Sequence, residues 1–233
     1  GVRKAISMAL DRWAGARALY GDESVPVAIF FPGSPFVNPD YLEWPGYNEA
    51  TKAQDVAEAK RLLTEAGFPD GFQANLTCRS GAWVADCEFM AEQMRTKLNI
   101  DVTLVVVDNA TLTERQCSGQ WEWITGGGGA QAAFPETTHQ LYASETVNSC
   151  GNMGHDDPKV DEFFEMIKAS TDAAEKATLA QQVEKYILQE KAYTANLYFS
   201  PYPFAARSYL KNLLLPGADP RDYLDYSRVW LEK

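Results

Sequence analysis

Residues 86–107, DCEFMAEQMRTKLNIDVTLVVV, change their hydrophobic period halfway along. Up to Leu98 the apolar side chains recur at helical spacing. Phe89, Met90, Met94 and Leu98 share a stripe with Gln93, and Asp86 stands where an N-cap is wanted. From Ile100 to Val107 the chain is β-branched and apolar, which predicts a strand suited to a central place in a sheet. Upstream, Phe72, Ala74, Leu76 and Cys78 alternate as a second strand. Downstream, residues 111–116 read as a short helix, and residues 121–125, WEWIT, as a third strand. Strand–helix–strand–helix–strand order predicts an α/β fold, a mixed or parallel sheet flanked by helices.

The flanking segments follow the same logic. Val2, Ala5, Ile6, Ala9 and Leu10 form a helical stripe over residues 2–12. The chain thus opens inside a helical pattern, from which we expect a piece of a longer polypeptide, so a missing signal peptide says little about location. Residues 21–50 are rich in proline, glycine and aromatics. They read as an extended loop that carries large apolar side chains. A helix is predicted from about Asp55, with Val56, Ala59, Leu62, Leu63 and Ala66 on one face and Gly67 as its C-terminal stop. Asp157 with Pro158 starts another helix, and Asp172 with Glu175 resembles a capping box for one more. Tyr193 to Phe204 reads as extended chain.

Composition excludes several classes. Among 233 residues, 32 are acidic and 21 basic, a net charge of −11. A nucleic-acid partner needs clustered Lys and Arg, and an anionic membrane surface needs the same. No apolar run reaches the ~18 residues of a membrane span. The four cysteines, Cys78, Cys87, Cys117 and Cys150, show no CxxC pattern, and His139 and His155 lie far apart, so no zinc site is expected. Their even number permits two disulfides in one of three pairings. Four buried free thiols in a cytosolic protein remain the alternative at this level.

Gly126, Gly127, Gly128 and Gly129 follow the predicted third strand. A phosphate loop would lead into Lys-Ser or Lys-Thr, yet no Lys or Arg lies between Gln116 and Lys159. No phosphate and no cofactor are therefore expected. The run is either a plain turn or a place where something approaches the backbone closely. Ser80 is not in a nucleophile-elbow pattern, and no base or acid pairs with it. Trp121 and Trp123 are two apart on a strand and predicted to share a face with Thr125. Trp83 falls in the loop between strand and helix. Each Trp has core packing as its plain reading, and gripping a small solute as its functional one.

Together these phrases resemble the family-5 extracellular solute-binding proteins, the dipeptide- and oligopeptide-type receptors of bacterial ABC importers. The resemblance rests on VRKAISMALDR at 2–12, AEAKRLLTEAGF at 57–68 with the DGF that follows, AEQMRTKLNIDV at 91–102, NMGHDDPKVDE at 152–162 and VWL at 229–231. It implies a periplasmic-binding-protein-like lobe of type II, cluster C character. Residues 1–202 correspond to the ligand-binding lobe, domain III of the family. Residues 203–233 correspond to a segment that returns to a first lobe absent from this chain. A solute is then enclosed between two lobes and handed to an ABC permease, without covalent chemistry, in the periplasm or outside the cell, with a lipid anchor as one option. The solute classes are a peptide, an oligosaccharide or an opine-like conjugate. The competing class is a secreted hydrolase of oligosaccharide or peptide.

The resemblance also assigns residues. Peptide-binding relatives carry an Asp-Pro pair whose carboxylate meets the ligand's α-ammonium; here the pair reads Phe134-Pro135. The family's Trp falls near Gly128. Trp83 matches an aromatic of the loop before the helix, while the family's Arg falls near Gly81, with Arg79 as substitute. Asn152 matches a recurrent Asn. The same likeness implies Cys78 paired with Cys87, and Cys117 with Cys150.

Overall fold

The computed structural model describes residues 1–125, 135–138, 142–144, 155–199, 206–213 and 226–232. Helix α1 (Val2–Ala9) ends sooner than its stripe suggests. Leu10 is extended, and the Asp11 side chain accepts from the Ala14 N–H to start α2 (Arg12–Tyr20). A two-residue strand, β1 (Val25–Pro26), precedes a loop whose Phe30, Tyr41, Trp44 and Tyr47 are buried. Then come α3 (Lys52–Glu65), β2 (Gln73–Arg79), α4 (Val84–Leu98), β3 (Asp101–Val107), α5 (Asn109–Ser118) and β4 (Trp123–Ile124). The helical half holds α6 (Pro158–Ala169) and α7 (Ala173–Lys185), which runs on into a wider turn at Tyr186–Lys191.

The sheet order is β3-β2-β4, parallel throughout. Among the described residues this corrects the place expected for Ile100–Val107: β2 is central and β3 is an edge strand. β-branched content says that a segment suits a sheet; the crossovers decide its place in it. The chain leaves β2 for β3 on one side, then returns past β2 to β4. Right-handed crossovers in opposite directions put α4 and α5 on opposite faces. Leu76 and Cys78 accordingly pack with Cys87 of α4, while the Thr77 hydroxyl meets Arg115 of α5. Among the described residues antiparallel pairing is confined to two short ladders. One joins β1 to β5 (Tyr198–Phe199); the other joins β6 (Leu210–Lys211) to β7 (Trp230–Leu231).

Two larger cores are present. One packs Ala5, Met8, Leu10, Ala59, Leu63, Met94, Leu98 and Ile100. The other packs the loop aromatics against Val160, Phe164, Ile167, Val183 and Ile187. Buried Arg12 ties them together. Its guanidinium donates to the carbonyls of Ser7, Gly46 and Asn196 at 2.6–2.8 Å and lies 4.0 Å from the centre of the Tyr47 ring.

Asp157 and Asp172 cap α6 and α7 as expected. Asp86 does not cap α4. The turn from Gly81 to Val84 starts that helix three residues earlier, with Trp83 at the cap position and no capping side chain.

Candidate functional site

A parallel sheet delivers all its strands' carboxyl ends to one edge, and the loops beyond that edge meet there. Here the edge is formed by Arg79 at the end of β2, Val107 at the end of β3 and Thr125 just past β4. Backbone bonds hold it level. Ser80 N–H donates to the Val107 carbonyl at 2.8 Å, and Thr125 N–H to the Thr77 carbonyl at 2.9 Å. The Arg79 N–H donates to Thr125 Oγ1 at 3.3 Å.

Above the edge lies an open cavity of about 170 Å³, lined by Arg79, Trp83, Asn109, Leu112, Thr113, Gln116 and Thr125. None of these is acidic. The Arg79 guanidinium lies over the Trp83 indole, 5.7 Å from its centre, and the indole is 42% exposed. Its face and the guanidinium offer one apolar and one cationic surface; the amides and hydroxyls offer neutral hydrogen bonds. A second, wider groove runs between α4 and β3, past Glu88, Glu92, Arg95 and Asp101. It sits on the sheet's flank, away from the strands' carboxyl ends, and its charged walls are ordinary surface.

The structure brings Trp83 and Arg79 together and separates them from the other two indoles. A bend at Glu122 interrupts the strand, so Trp121 and Trp123 are not both strand residues. The Glu122 carboxylate accepts from the Asn75 N–H at 2.6 Å. Trp123 meets Phe72 edge-on at 6.2 Å and packs against the α1–α3–α4 core. Trp121 is half-buried and does not line the cavity. Gly126, Gly127, Gly128, Gly129 and Phe134 lie outside the described residues, as does Asn152.

Asn109, Leu112, Thr113 and Gln116 were missed from sequence. Their spacing of i, i+3, i+4 and i+7 on α5 is one helix face, a signal that was present but outweighed by the aromatics.

The rim loop is braced from below. Cys78 and Cys87 form a disulfide, with 6.4 Å between their Cα atoms. Cys117 is also disulfide-bonded; Cys150, its expected partner, lies outside the described residues. Asp86 is buried in the first turn of α4, where the helix dipole favours a carboxylate. It accepts the Tyr20 and Tyr198 hydroxyls, each at 2.8 Å. Burial and that carboxylate push the Tyr20 phenol up to about 12, and Tyr198 moves the same way. Among the described residues no three His, Cys, Asp or Glu side chains are grouped to hold a metal, and no helix is long and apolar enough to cross a membrane.

This layout, an α/β lobe with its cavity at the carboxyl edge of a parallel sheet, is that of the periplasmic binding proteins. The profile of the bacterial extracellular solute-binding proteins, family 5 (Middle), matches residues 1–149, and the chain belongs to that family. The periplasmic oligopeptide-binding protein OppA of Haemophilus influenzae is 24% identical over 241 residues; the match takes in 100% of this chain and 43% of the relative. The glutathione-binding protein GsiB of Escherichia coli K12 is 24% identical over 199 residues, 81% of this chain and 37% of the relative. The structure of the periplasmic binding protein DppA from Helicobacter pylori, in complex with the peptide STSA, superposes with a TM-score of 0.77 at 21% identity. It covers 99% of this chain and 44% of that one. The chain therefore spans less than half the length of these relatives.

Proposed function

We propose that this chain is the second lobe of a periplasmic solute receptor, free or lipid-tethered, that serves an ABC permease. The observation that carries the reading is the Arg79–Trp83 cavity at the carboxyl edge of the sheet, in a chain of the family-5 solute-binding proteins. Residues 1–202 are the lobe proper, and residues 203–233 return to a first lobe elsewhere in the same protein. In support, the terminal β6–β7 ladder leaves Tyr209, Trp230 and Leu231 exposed at 51%, 53% and 60%, an apolar surface suited to cover. A buried disulfide fits an oxidising compartment.

Trp83 and Arg79 are assigned to this lobe's side of the site on the cavity, and Gly126–Gly129 and Phe134 on the family resemblance alone; Trp123 packs into the core and Trp121 does not line the cavity. The ligand is a peptide or peptide-like solute. Relatives named for oligopeptides and glutathione support that class. Phe134 stands where peptide-gripping relatives carry an Asp, and the cavity lining has no carboxylate. An α-ammonium therefore has no carboxylate partner among the described residues of the cavity, and burying it unpaired is unfavourable by several kcal/mol.

Calorimetry on the two-lobed protein tests both parts. N-acetylated peptides are expected to bind at least as tightly as their free-amine forms. Trp83→Ala is expected to weaken binding by about 1–3 kcal/mol. An unchanged affinity in Trp83→Ala removes the cavity from the site.

A further inference from the structure

The loop that carries Arg79 and Trp83 has little packing of its own. Gly81 turns at a φ of +86°, with no atom within 4 Å of where a Cβ would stand. Trp83 is half-exposed, with the Arg79 guanidinium 5.7 Å from its ring centre. An exposed turn with so few contacts belongs to the low-stability end of a fold unless its base is held. Here the base is held twice. The first lock is the Cys78–Cys87 disulfide, which closes the loop over a separation of nine residues. Both cysteines are buried, and the Cys78 sulfur sits 3.6 Å from the Trp83 carbonyl. The second lock is Asp86. Its carboxylate gathers a hydroxyl from α2 and one from β5, which pins the first turn of α4.

We propose that the Cys78–Cys87 disulfide and the Asp86 carboxylate are positioning groups for the candidate site. They preset the Arg79–Trp83 rim, so a ligand meets it already ordered and loses less entropy on binding. Neither group touches the ligand. The role of the rim in binding rests on the function proposed above; the mechanical coupling does not.

Acrylamide quenching of Trp83 emission tests the coupling. The Trp83 signal is isolated as the difference between each protein and the same protein carrying Trp83→Phe. In Cys78→Ala/Cys87→Ala the Trp83 quenching constant is expected to rise about twofold, with far-ultraviolet dichroism and a cooperative melt retained. Asp86→Asn, which leaves the disulfide in place, is expected to raise it less. Unchanged Trp83 quenching in both variants overturns the proposal. If the double cysteine variant does not fold, Asp86→Asn decides: a raised constant supports positioning, and an unchanged one overturns it. Loss of the ligand reading in calorimetry would leave the quenching result standing, so the two failures are distinguishable.

Discussion

The sheet half, residues 2–125, and the helical half, residues 155–199, both bury polar anchors, but of opposite chemical character. In the sheet half two of the anchors are a disulfide and the guanidinium of Arg12. Neither changes state near neutral pH: the bond does not titrate, and an Arg keeps its proton even where burial lowers its pKa. In the helical half the anchor is Glu184, fully buried on α7. Its carboxylate accepts the N–H groups of Ile29, Phe30 and Asn38 at 2.8, 2.9 and 2.6 Å. Burial pushes it up to about 7 despite those three donors. In the same half, His155 is buried and stacked on Tyr193 at 4.0 Å, both ring nitrogens without a hydrogen-bond partner among the described residues; burial holds its pKa below the usual 6.5. The loop at the rim of the candidate site is thus closed by a bond that does not titrate.

The largest expected effect comes from breaking the titratable anchor. Glu184→Ala leaves three buried N–H groups without an acceptor and is expected to destabilise the fold by about 3–5 kcal/mol in denaturant titration. A loss below about 1 kcal/mol would mean the loop finds other acceptors. Next comes the covalent anchor: Cys78→Ala/Cys87→Ala is expected to lose about 2–4 kcal/mol, with no change in the pH profile of stability.

That profile sharpens the comparison. Glu184 has a folded pKa of about 7 against 4.5 unfolded. The folded state therefore holds the extra proton, and this contribution falls as pH rises from 4.5 to about 7, by up to about 3 kcal/mol. His155 works the other way: its contribution is present above 6.5 and falls as pH drops toward its lowered folded value. The two oppose each other below pH 6.5. Glu184→Gln is expected to leave a stability that rises with pH there, and His155→Phe one that falls more steeply than wild type. Parallel pH profiles in all three proteins would defeat this account. The smallest effect is expected at the surface pair of Arg17 and Glu49, both about half exposed at 2.6 Å. Arg17→Ala should leave the thermal midpoint within error, since exposed ion pairs are screened and mobile.

Much of the fold was legible in the sequence, for reasons the structure makes concrete. α4, β3, α6 and α7 came from periodicity and from the caps Asp157 and Asp172, which are local chemistry. The Cys78–Cys87 bond followed from the family likeness. The break at Leu10–Asp11 was missed because the apolar stripe continues across it; only the Asp11 side chain, turning to cap α2, marks the new start. Asp86 was misread because a carboxylate before a helical stripe looks like a cap, when its partners are two tyrosines remote in sequence. At the site, Trp83 and Arg79 were found through resemblance. The pairing of Trp121 with Trp123 assumed a strand that the bend at Glu122 cuts short.

By itself the sequence determined what nearest-neighbour physics can determine: which segments are helix or strand, which faces are apolar, and the family to which the chain belongs. It could not determine strand order, which is set by the directions of two crossovers, or that Arg12, Asp86 and Glu184 are buried. Those depend on groups brought from far along the chain: Gly46 and Asn196 around Arg12, Tyr20 and Tyr198 around Asp86, Ile29 and Asn38 around Glu184. Burying a charge is favourable only once its partners are in place, and that condition is met by tertiary structure alone.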